Sequence, residues 1–361
     1  MTRRGPLEHP APIMVEPREV HPEQPFITES TRDGPYVSIG VVINSIPRTE
    51  AKLYLGDVFR HVMIAGSTGA GKTVTASLIA KRLAHNLGIS TYVIDWHGEY
   101  GDMIEDAHTV TPENWPVPLF TGKADDLDTL SSVLELTPSQ EYLLDKILRH
   151  NIKGEVDIHR LLDLVENYPE DAYWMRETKI SLHRKLSVIA RGGNDRFFRL
   201  WGEAPIPALL ENSRQRRVVV VNVSLIKDPS VRKIYSGLAC KRIADALLVA
   251  DKPGVIVLEE SQNYLSPSQP LKALATMLRE IRKNKVGLVT IAQSPSQLIN
   301  DALANTNTKI IHALKSSVDI EAIARSMYLS QELLEEIPYM EPGEAVYYSP
   351  YLKKPVLIKV S

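Results

Sequence analysis

The residues with the most specific chemistry form one continuous run: Gly66, Ser67, Thr68, Gly69, Ala70, Gly71, Lys72 and Thr73. This run has the form G-x-x-x-x-G-K-[ST], in which glycines allow successive backbone N–H groups to wrap the phosphates of a nucleotide. We expect Lys72 to neutralise the β- and γ-phosphate oxygens and the hydroxyl of Thr73 to hold Mg²⁺. Val74 follows directly and completes the predicted binding segment. The pattern therefore predicts a site for ATP and Mg²⁺.

Two adjacent carboxylates, Glu259 and Glu260, end the apolar run 255–258. Hydrolysis at a phosphate loop needs an acid that orients Mg²⁺ and a group that activates water. We expect Glu259 to act on Mg²⁺ through water and Glu260 to polarise the attacking water. Paired acids at a strand end can also be merely solvated, and the phosphate loop favours the catalytic interpretation.

Gln293 ends the apolar run 288–292 in the same way. A neutral amide at this place can donate a hydrogen bond to the γ-phosphate or to the lytic water. The alternative is a simple cap of the strand. We predict that Gln293 is part of the site.

The elements that must position these residues alternate between apolar runs and helical patterns. Such alternation predicts a mainly parallel sheet with helices on both faces, an α/β fold. The helix after the phosphate loop is predicted to end at Gly88. The predicted strands of the main domain are residues 61–65, 91–95, 217–223, 255–259, 287–292, 309–313, 345–348 and 356–360.

The rest of the chain divides by composition. Residues 1–35 hold seven of the 24 prolines and little apolar periodicity, which predicts a flexible arm or an extended strap. Residues 36–60 are predicted to form a short β preface, with strands at 36–46 and 52–55. Residues 61–361 are the predicted nucleotide-binding core, with a helical insertion at about 125–212 that lacks a predicted strand.

Composition limits the class of protein. The formal net charge is -2, so the overall balance does not indicate a nucleic-acid binder. No apolar run approaches the ~20 residues that a membrane span needs, and the N-terminus lacks the pattern of a secretory signal, so we expect a cytoplasmic protein. Cys240 is the only cysteine, which excludes an intrachain disulfide and a cysteine-based zinc site within this chain.

Local charge is less even. Residues 176–217 contain ten Lys and Arg against four Asp and Glu. Within them, residues 184–201 interleave cations with Phe197, Phe198 and Trp201, a combination that suits DNA contact but also a filled core beside a solvated face. A second basic stripe on the helix 271–283 is either a DNA contact or a solvated interface; it consists of Lys272, Arg279 and Lys283.

The motifs together resemble the HerA-like branch of the HerA/FtsK motor ATPases, from about residue 39 to the C-terminus. The similar segments, beside His61 and the phosphate loop, are Ile94-Asp95-Trp96-His97-Gly98-Glu99-Tyr100, Leu258-Glu259-Glu260-Ser261-Gln262-Asn263-Tyr264, Glu280-Ile281-Arg282-Lys283-Asn284-Lys285-Val286-Gly287-Leu288, Ala292-Gln293-Ser294-Pro295-Ser296 and Pro342-Gly343-Glu344-Ala345. This chain has Trp96 where the family has proline, and its β preface has room only for a vestigial N-terminal barrel.

The resemblance implies a RecA-like core, a homohexameric ring with ATP sites at the subunit interfaces, and double-stranded DNA in the central channel. It also implies that Asp95 and Glu99 belong to an acidic cluster beside the nucleotide, whereas their spacing alone would predict a turn at a strand end. We further predict that Arg282 reaches the γ-phosphate bound by the next subunit, with Arg279 as the alternative. A salt bridge or a DNA contact would be the ordinary role of such an arginine.

Two classes of function follow from these residues. The first is an ATP-driven DNA translocase that serves DNA processing, transfer or packaging, with a nuclease or a membrane complex as a possible partner. The second is a P-loop ATPase that acts on protein in secretion or assembly. A nucleotide-gated switch without turnover is disfavoured, because both Glu260 and Gln293 are present.

Overall fold

The computed structural model of the protein describes residues 33–45, 47–122, 126–151, 157–170, 172–202 and 218–361. The strands are β1 (Tyr36–Val42), β2 (Glu50–Tyr54), β3 (Val62–Ala65), β4 (Ser90–Asp95), β5 (His108–Val110), β6 (Val117–Phe120), β7 (Phe198–Trp201), β8 (Val218–Asn222), β9 (Gly254–Leu258), β10 (Val286–Ala292), β11 (Thr308–Ile311), β12 (Glu344–Tyr348) and β13 (Val356–Val360).

The described helices are α1 (Leu55–Val58), α2 (Lys72–Leu87), α3 (Tyr100–Met103), α4 (Asp126–Leu134), α5 (Pro138–Asn151), α6 (Ile158–Glu166), α7 (Tyr173–Ala190), α8 (Pro229–Val249), α9 (Lys272–Glu280), α10 (Asn300–Asn305), α11 (Ser317–Ser326) and α12 (Gln331–Glu336). Short 3-10 segments lie at Arg191–Phe197, Ser261–Asn263, Ile281–Asn284, Pro295–Gln297 and Ile337–Tyr339.

Eleven strands form one sheet, in the order β2-β1-β13-β12-β11-β3-β10-β9-β4-β8-β5. All neighbours from β11 to β5 are parallel, whereas β12, β13, β1 and β2 are joined in antiparallel fashion at one side. The prediction of a mainly parallel α/β sheet is therefore confirmed. Strand β3, which leads into the phosphate loop, lies between β11 and β10, inside the sheet.

The β preface continues the main sheet. Strand β1 pairs with β13 from Gly40 opposite Val360, and β2 pairs with β1 at the edge. The strand pattern at 36–46 and 52–55 is confirmed within a few residues. Backbone pairing with the C-terminal strand makes these two strands of the preface part of the same sheet.

The sheet separates two apolar layers. Alternate side chains of β3 face opposite sides: Val62 and Ile64 pack with α2, whereas Met63 and Ala65 belong to the cluster that contains α8 and α9. This alternation is the period of two that a strand buried on both faces imposes. Helix α2 ends at Gly88, which has the left-handed φ of 66°, as predicted.

The segment between β4 and β8 differs from the prediction. Helices α4 to α7 occupy most of the predicted helical insertion, but β5, β6 and β7 were missed, and β7 falls inside the insertion. Strands β6 and β7 form a separate two-stranded parallel sheet. On β7, Phe198 and Leu200 are buried while Arg199 and Trp201 are exposed. A four-residue strand beside a 3-10 segment offers too short a pattern to recognise by periodicity.

The predicted proline-rich arm lies almost entirely in residues 1–32, outside the described part of the chain. Cys240 is buried on α8, as a small core residue would be. None of the helices in the described ranges is long and apolar enough to cross a membrane.

Candidate nucleotide site

The phosphate loop connects β3 to α2. Gly69 and Gly71 have φ angles of 78° and 106°, in the region that only glycine adopts without strain. Gly66 is restricted for another reason, because a Cβ at this position would lie 2.7 Å from the Cβ of His312. The sequence of glycines in the loop is thus explained by backbone shape at two positions and by a close neighbour at the third.

Backbone contacts from distant segments hold the loop. The N–H of Ser67 donates to the carbonyl of Ala313 at 2.7 Å, and the N–H of Lys315 donates to the Ser67 hydroxyl at 3.2 Å. On the other side, the N–H of Gly343 donates to the carbonyl of Ala70 at 3.2 Å. The loop therefore rests on two segments that follow β11 and precede β12.

Lys72 begins α2 and points back over the loop. Its ammonium group donates to the carbonyl of Ser67 at 3.0 Å. Burial lowers the pKa of Lys72, while three nearby carboxylates, of which Glu260 acts most strongly, oppose that change. The nearby carboxylates thus favour the charged form of Lys72, and an ammonium group is a donor that phosphate oxygens can accept from.

The two acids after β9 differ in environment. Glu259 is buried, and one of its oxygens accepts the backbone N–H groups of Trp96 at 2.8 Å and His97 at 3.1 Å. Burial and then the nearby Asp95 carboxylate raise the pKa of Glu259 to about 8, against the two backbone hydrogen bonds, which lower it. Glu259 therefore connects the end of β9 to the loop after β4.

Glu260 lies nearer the surface and has a left-handed φ of 50°. One carboxylate oxygen lies 3.3 Å from Nε2 of His97, and the other accepts a hydrogen bond from the side-chain amide of Gln262. A positive φ is uncommon for a residue with a Cβ, and such residues concentrate at functional sites. The backbone turn directs the Glu260 side chain along the cavity that Lys72 also lines.

Asp95 ends β4 and lies near enough to Glu259 that its charge helps to raise the pKa of that carboxyl. The Asp95 side chain is fully buried, and its two oxygens accept the backbone N–H groups of Gly98 at 2.7 Å, Glu99 at 3.2 Å and Tyr100 at 3.0 Å. Asp95 thus holds the turn after β4 and is not among the residues that line the cavity, and its place in an acidic cluster beside the nucleotide stays a prediction. Glu99 does line the cavity.

Gln293 follows β10, the strand beside β3. Its side-chain amide donates to the hydroxyl of Thr68 at 2.6 Å. Because β10 and β3 are parallel, their carboxyl ends meet at the same edge of the sheet. This arrangement explains how two residues 225 positions apart come into contact.

A cavity of about 500 Å³ collects most of the predicted residues. Its lining comprises Thr68, Gly69, Gly71, Lys72, Thr73, Val74, His97, Glu99, Met103, Glu259, Glu260, Ile291 and Gln293. Val74 is 55% exposed and lines the cavity, in agreement with its place in the predicted binding segment. Gly66, Ser67 and Ala70 belong to the loop without lining the cavity.

The two arginine candidates come from the segment between β9 and β10. Arg279 on α9 is exposed and lies 3.7 Å from Asp301, so the structure gives it the ordinary ion pair. The backbone of Arg282 lies in the 3-10 segment Ile281–Asn284, and its side chain is outside the described part of the structure.

Sequence reasoning missed three contributors. His97 and Met103 line the cavity, and His97 stood within the segment Ile94 to Tyr100 that carried the resemblance. His312 is fully buried beneath the loop and hydrogen-bonds Thr75 at 2.8 Å. No motif marked His312, because its partners lie far away in the sequence.

The donor set fits Mg²⁺. The hydroxyl of Thr73 and the carboxylates of Glu259 and Glu260 line the same cavity as Lys72, and oxygen ligands are those that Mg²⁺ prefers. Among the described residues, no group of three or more His, Cys, Asp or Glu side chains could hold a metal ion. A metal that takes one or two protein oxygens and completes its shell with phosphate and water is consistent with this arrangement.

Comparison with known proteins gives the family. A family model described as the central domain of helicase HerA matches residues 37–243. The DNA double-strand break repair helicase HerA of Saccharolobus solfataricus is 25% identical over 357 residues, which cover 91% of this chain and 69% of the relative. The helicase HerA of Pyrococcus furiosus is 24% identical over 393 residues, which cover 90% of this chain and 70% of the relative.

Solved structures agree on the fold. VirB4 of Thermoanaerobacter pseudethanolicus superposes with a TM-score of 0.73 at 19% identity and covers 91% of this chain and 97% of its own. The bacterial conjugative coupling protein TrwB superposes with a TM-score of 0.69 at 15% identity, over 92% of this chain and 90% of its own. The family model extends over more than half of the sequence, and the protein therefore belongs to the family of the HerA helicase central domain.

Proposed function

We propose that this protein is an ATPase motor of the HerA/FtsK type, which hydrolyses Mg²⁺-bound ATP and uses the energy to move duplex DNA. The observation that carries the proposal is the convergence of Lys72, Glu260 and Gln293 on one cavity of about 500 Å³. Relatives that share this family are named DNA double-strand break repair helicases, which favours DNA as the substrate that is moved.

Each residue of the site has its own role in ATP hydrolysis, which follows from its position. The backbone N–H groups of the loop and the Lys72 ammonium hold and neutralise the phosphates, aided by the positive end of α2. Glu260 accepts a hydrogen bond or a proton from the attacking water, and its contact with His97 orients the carboxylate. Gln293 donates to Thr68 and is placed to donate to the transferred phosphoryl group as charge develops. Thr73 and Glu259 would hold Mg²⁺, and the bound ion would neutralise additional charge on the phosphates.

We propose a homohexameric ring with ATP at the subunit interfaces, and Arg282 as the residue that reaches the neighbour's γ-phosphate. A trans arginine typically contributes ~10³ or more in rate. The test mixes two variants that are each inactive alone, Arg282→Ala and Lys72→Ala. In a mixed ring some interfaces unite an intact loop with an intact arginine, so ATPase activity should partly return. Full turnover by Arg282→Ala alone would contradict the assignment.

For the DNA contact we propose the exposed cations of residues 184–201, because Phe197 and Phe198 are buried, whereas Arg184, Arg191 and Arg199 are exposed. Arg199 is exposed on β7 beside Trp201. Arg199→Ala should weaken DNA binding about equally for all sequences and reduce the slope of log affinity against log salt by about 1.

The proposed function is tested by ATPase assays with and without duplex DNA over a salt series. The ATPase activity of the wild-type protein should increase when DNA is added. This increase should become much smaller as the salt concentration rises, because binding to DNA phosphates releases counterions. Lys72→Ala should lose ATP binding, whereas Glu260→Gln should bind ATP and lose turnover. Two variants serve as matched controls. Lys81→Ala, also on α2, is the control for Lys72→Ala, and Glu105→Gln, at an exposed position, is the control for Glu260→Gln.

The possible results separate the candidate functions. ATPase activity that ignores DNA and responds only to a protein partner would favour the motor that acts on protein. Equal ATP affinity of wild type and Lys72→Ala would refute the nucleotide site itself.

A further inference from the structure

A fully buried histidine lies directly beneath the phosphate loop. His312 follows β11, and its backbone N–H donates to the carbonyl of Ala65 at 2.8 Å. Its Cβ would be 2.7 Å from a Cβ at Gly66, and its Cε1 would be 3.7 Å from a Cβ at Gly71. The imidazole ring therefore fills the space between the first and the last glycine of the loop.

Both ring nitrogens of His312 have partners, and the partners fix the tautomer. Nδ1 lies 2.8 Å from the backbone carbonyl of Glu344, which can only accept, so Nδ1 carries the proton. Nε2 lies 2.8 Å from the hydroxyl of Thr75 and must therefore accept from it. Burial is the largest cause that lowers the pKa of His312 to about 4, so the ring is neutral at neutral pH. In the neutral ring, the Nδ1–H tautomer satisfies both partners.

The two partners belong to different parts of the fold. Thr75 is buried in the first turn of α2, two residues after Thr73 and three after Lys72. Glu344 begins β12, on the antiparallel side of the sheet, and the adjacent Gly343 donates to Ala70 of the loop. The His312 ring thus joins the first turn of α2 to the strand that also holds the end of the loop.

We propose that His312 is a positioning residue for ATP hydrolysis, which fixes the first turn of α2 against β12 and so sets where Lys72 and Thr73 meet the phosphates. This inference rests on the proposed ATPase function. Phosphoryl transfer at such a loop depends mainly on positioning and charge, and misplacement by ~1 Å costs up to about 10²-fold in rate. His312 is not among the residues that line the cavity, so we expect its effect to pass through Thr75.

The test removes the hydrogen bond while preserving shape. Thr75→Val replaces the hydroxyl with a methyl group, and Thr75→Ser keeps the hydroxyl. We expect Thr75→Val to lower kcat by about 10-fold to 100-fold, and Thr75→Ser to stay within about 3-fold of wild type. His312→Gln, which can donate to Glu344 and accept from Thr75, should retain more turnover than His312→Leu. Thr75→Ala serves as a second deletion of the hydroxyl if Thr75→Val does not fold.

The control separates positioning from stability. Thr306 is also fully buried, and its hydroxyl donates to the carbonyl of Ala302 at 2.8 Å, remote from the cavity. Thr306→Val should lower the melting temperature by an amount similar to Thr75→Val and leave kcat unchanged. If kcat falls equally in both variants, or is unchanged in Thr75→Val, the positioning role is overturned.

A second measurement, of nucleotide affinity, does not depend on ATP turnover. Affinity for ADP and for a non-hydrolysable ATP analogue, measured with Mg²⁺ by calorimetry, should weaken in His312→Leu relative to His312→Gln. If the wild-type protein binds these nucleotides but does not hydrolyse ATP, the proposed ATPase function is refuted. The difference in affinity between the two His312 variants then still tests whether His312 positions the first turn of α2. Equal affinities in all His312 variants would overturn the inference.

Discussion

The amide of Gln293 donates a hydrogen bond of 2.6 Å to the hydroxyl of Thr68 within the phosphate loop. This contact joins the residue after β10 to the phosphate loop, and both residues line the same cavity.

Replacing Gln293 with Ala should lower kcat by about 10²-fold and change ADP affinity little, because the lost donor acts on charge that develops in the transition state. Steady-state ATPase kinetics and ADP titration measure the two quantities. Gln297→Ala, an exposed glutamine four residues later, is the control. An equal loss of ADP affinity would instead make Gln293 a ground-state contact.

Asp95 should matter for stability. Its carboxylate accepts three backbone N–H groups of the turn after β4. Asp95→Ala leaves these donors without an acceptor and should lower the free energy of unfolding by about 2 kcal/mol or more. Asp95→Asn keeps one oxygen acceptor and should cost less. Urea unfolding of both variants is the measurement; an unchanged midpoint for Asp95→Ala would argue for a direct role at the nucleotide.

Arg242 on α8 is buried and pairs with Asp126 of α4 at 2.8 Å, and it also donates to the carbonyl of Leu119 at 2.7 Å. Arg242→Ala leaves the buried carboxylate of Asp126 without its cationic partner and should lower the free energy of unfolding by about 3–5 kcal/mol. Arg242→Lys should recover little, because an ammonium cannot reproduce the planar set of donors. Chemical denaturation checks both variants, and Arg149→Ala, which breaks an exposed ion pair with Asp145 on α5, should leave the unfolding midpoint nearly unchanged.

Lys309 on β11 gives a prediction about pH. Burial lowers the pKa of Lys309 from 10.5 to about 8, and its ammonium donates to the carbonyl of Thr306 at 2.7 Å. Between these two values the unfolded chain binds more protons than the folded protein, so stability should rise with pH across this window and fall as the pH is lowered through it.

Lys309→Met should remove that rise, whereas Lys353→Met, at an exposed position, should keep it. Urea unfolding between pH 7 and pH 10.5 measures the difference in slope. Parallel curves for wild type and Lys309→Met would show that Lys309 does not titrate in this window.

The sequence by itself determined the phosphate loop, the strand before it and the helix after it, because all the signals lie in about 25 contiguous residues. It also predicted that Glu259, Glu260 and Gln293 lie near the loop. Each follows an apolar run, and the carboxyl ends of parallel strands share one edge of the sheet. Their juxtaposition at one cavity followed from that rule.

Only the tertiary structure decided the rest. Asp95 turned inward to hold its own loop, and the buried state of Phe197 and Phe198 left Arg199 and Trp201 on the surface. Strands β1 and β2 joined the main sheet through β13, more than 300 residues away. His312 meets Thr75 across 237 positions. These outcomes depend on which surfaces pack together across the chain, and a local pattern of residue types contains no information about partners that far apart.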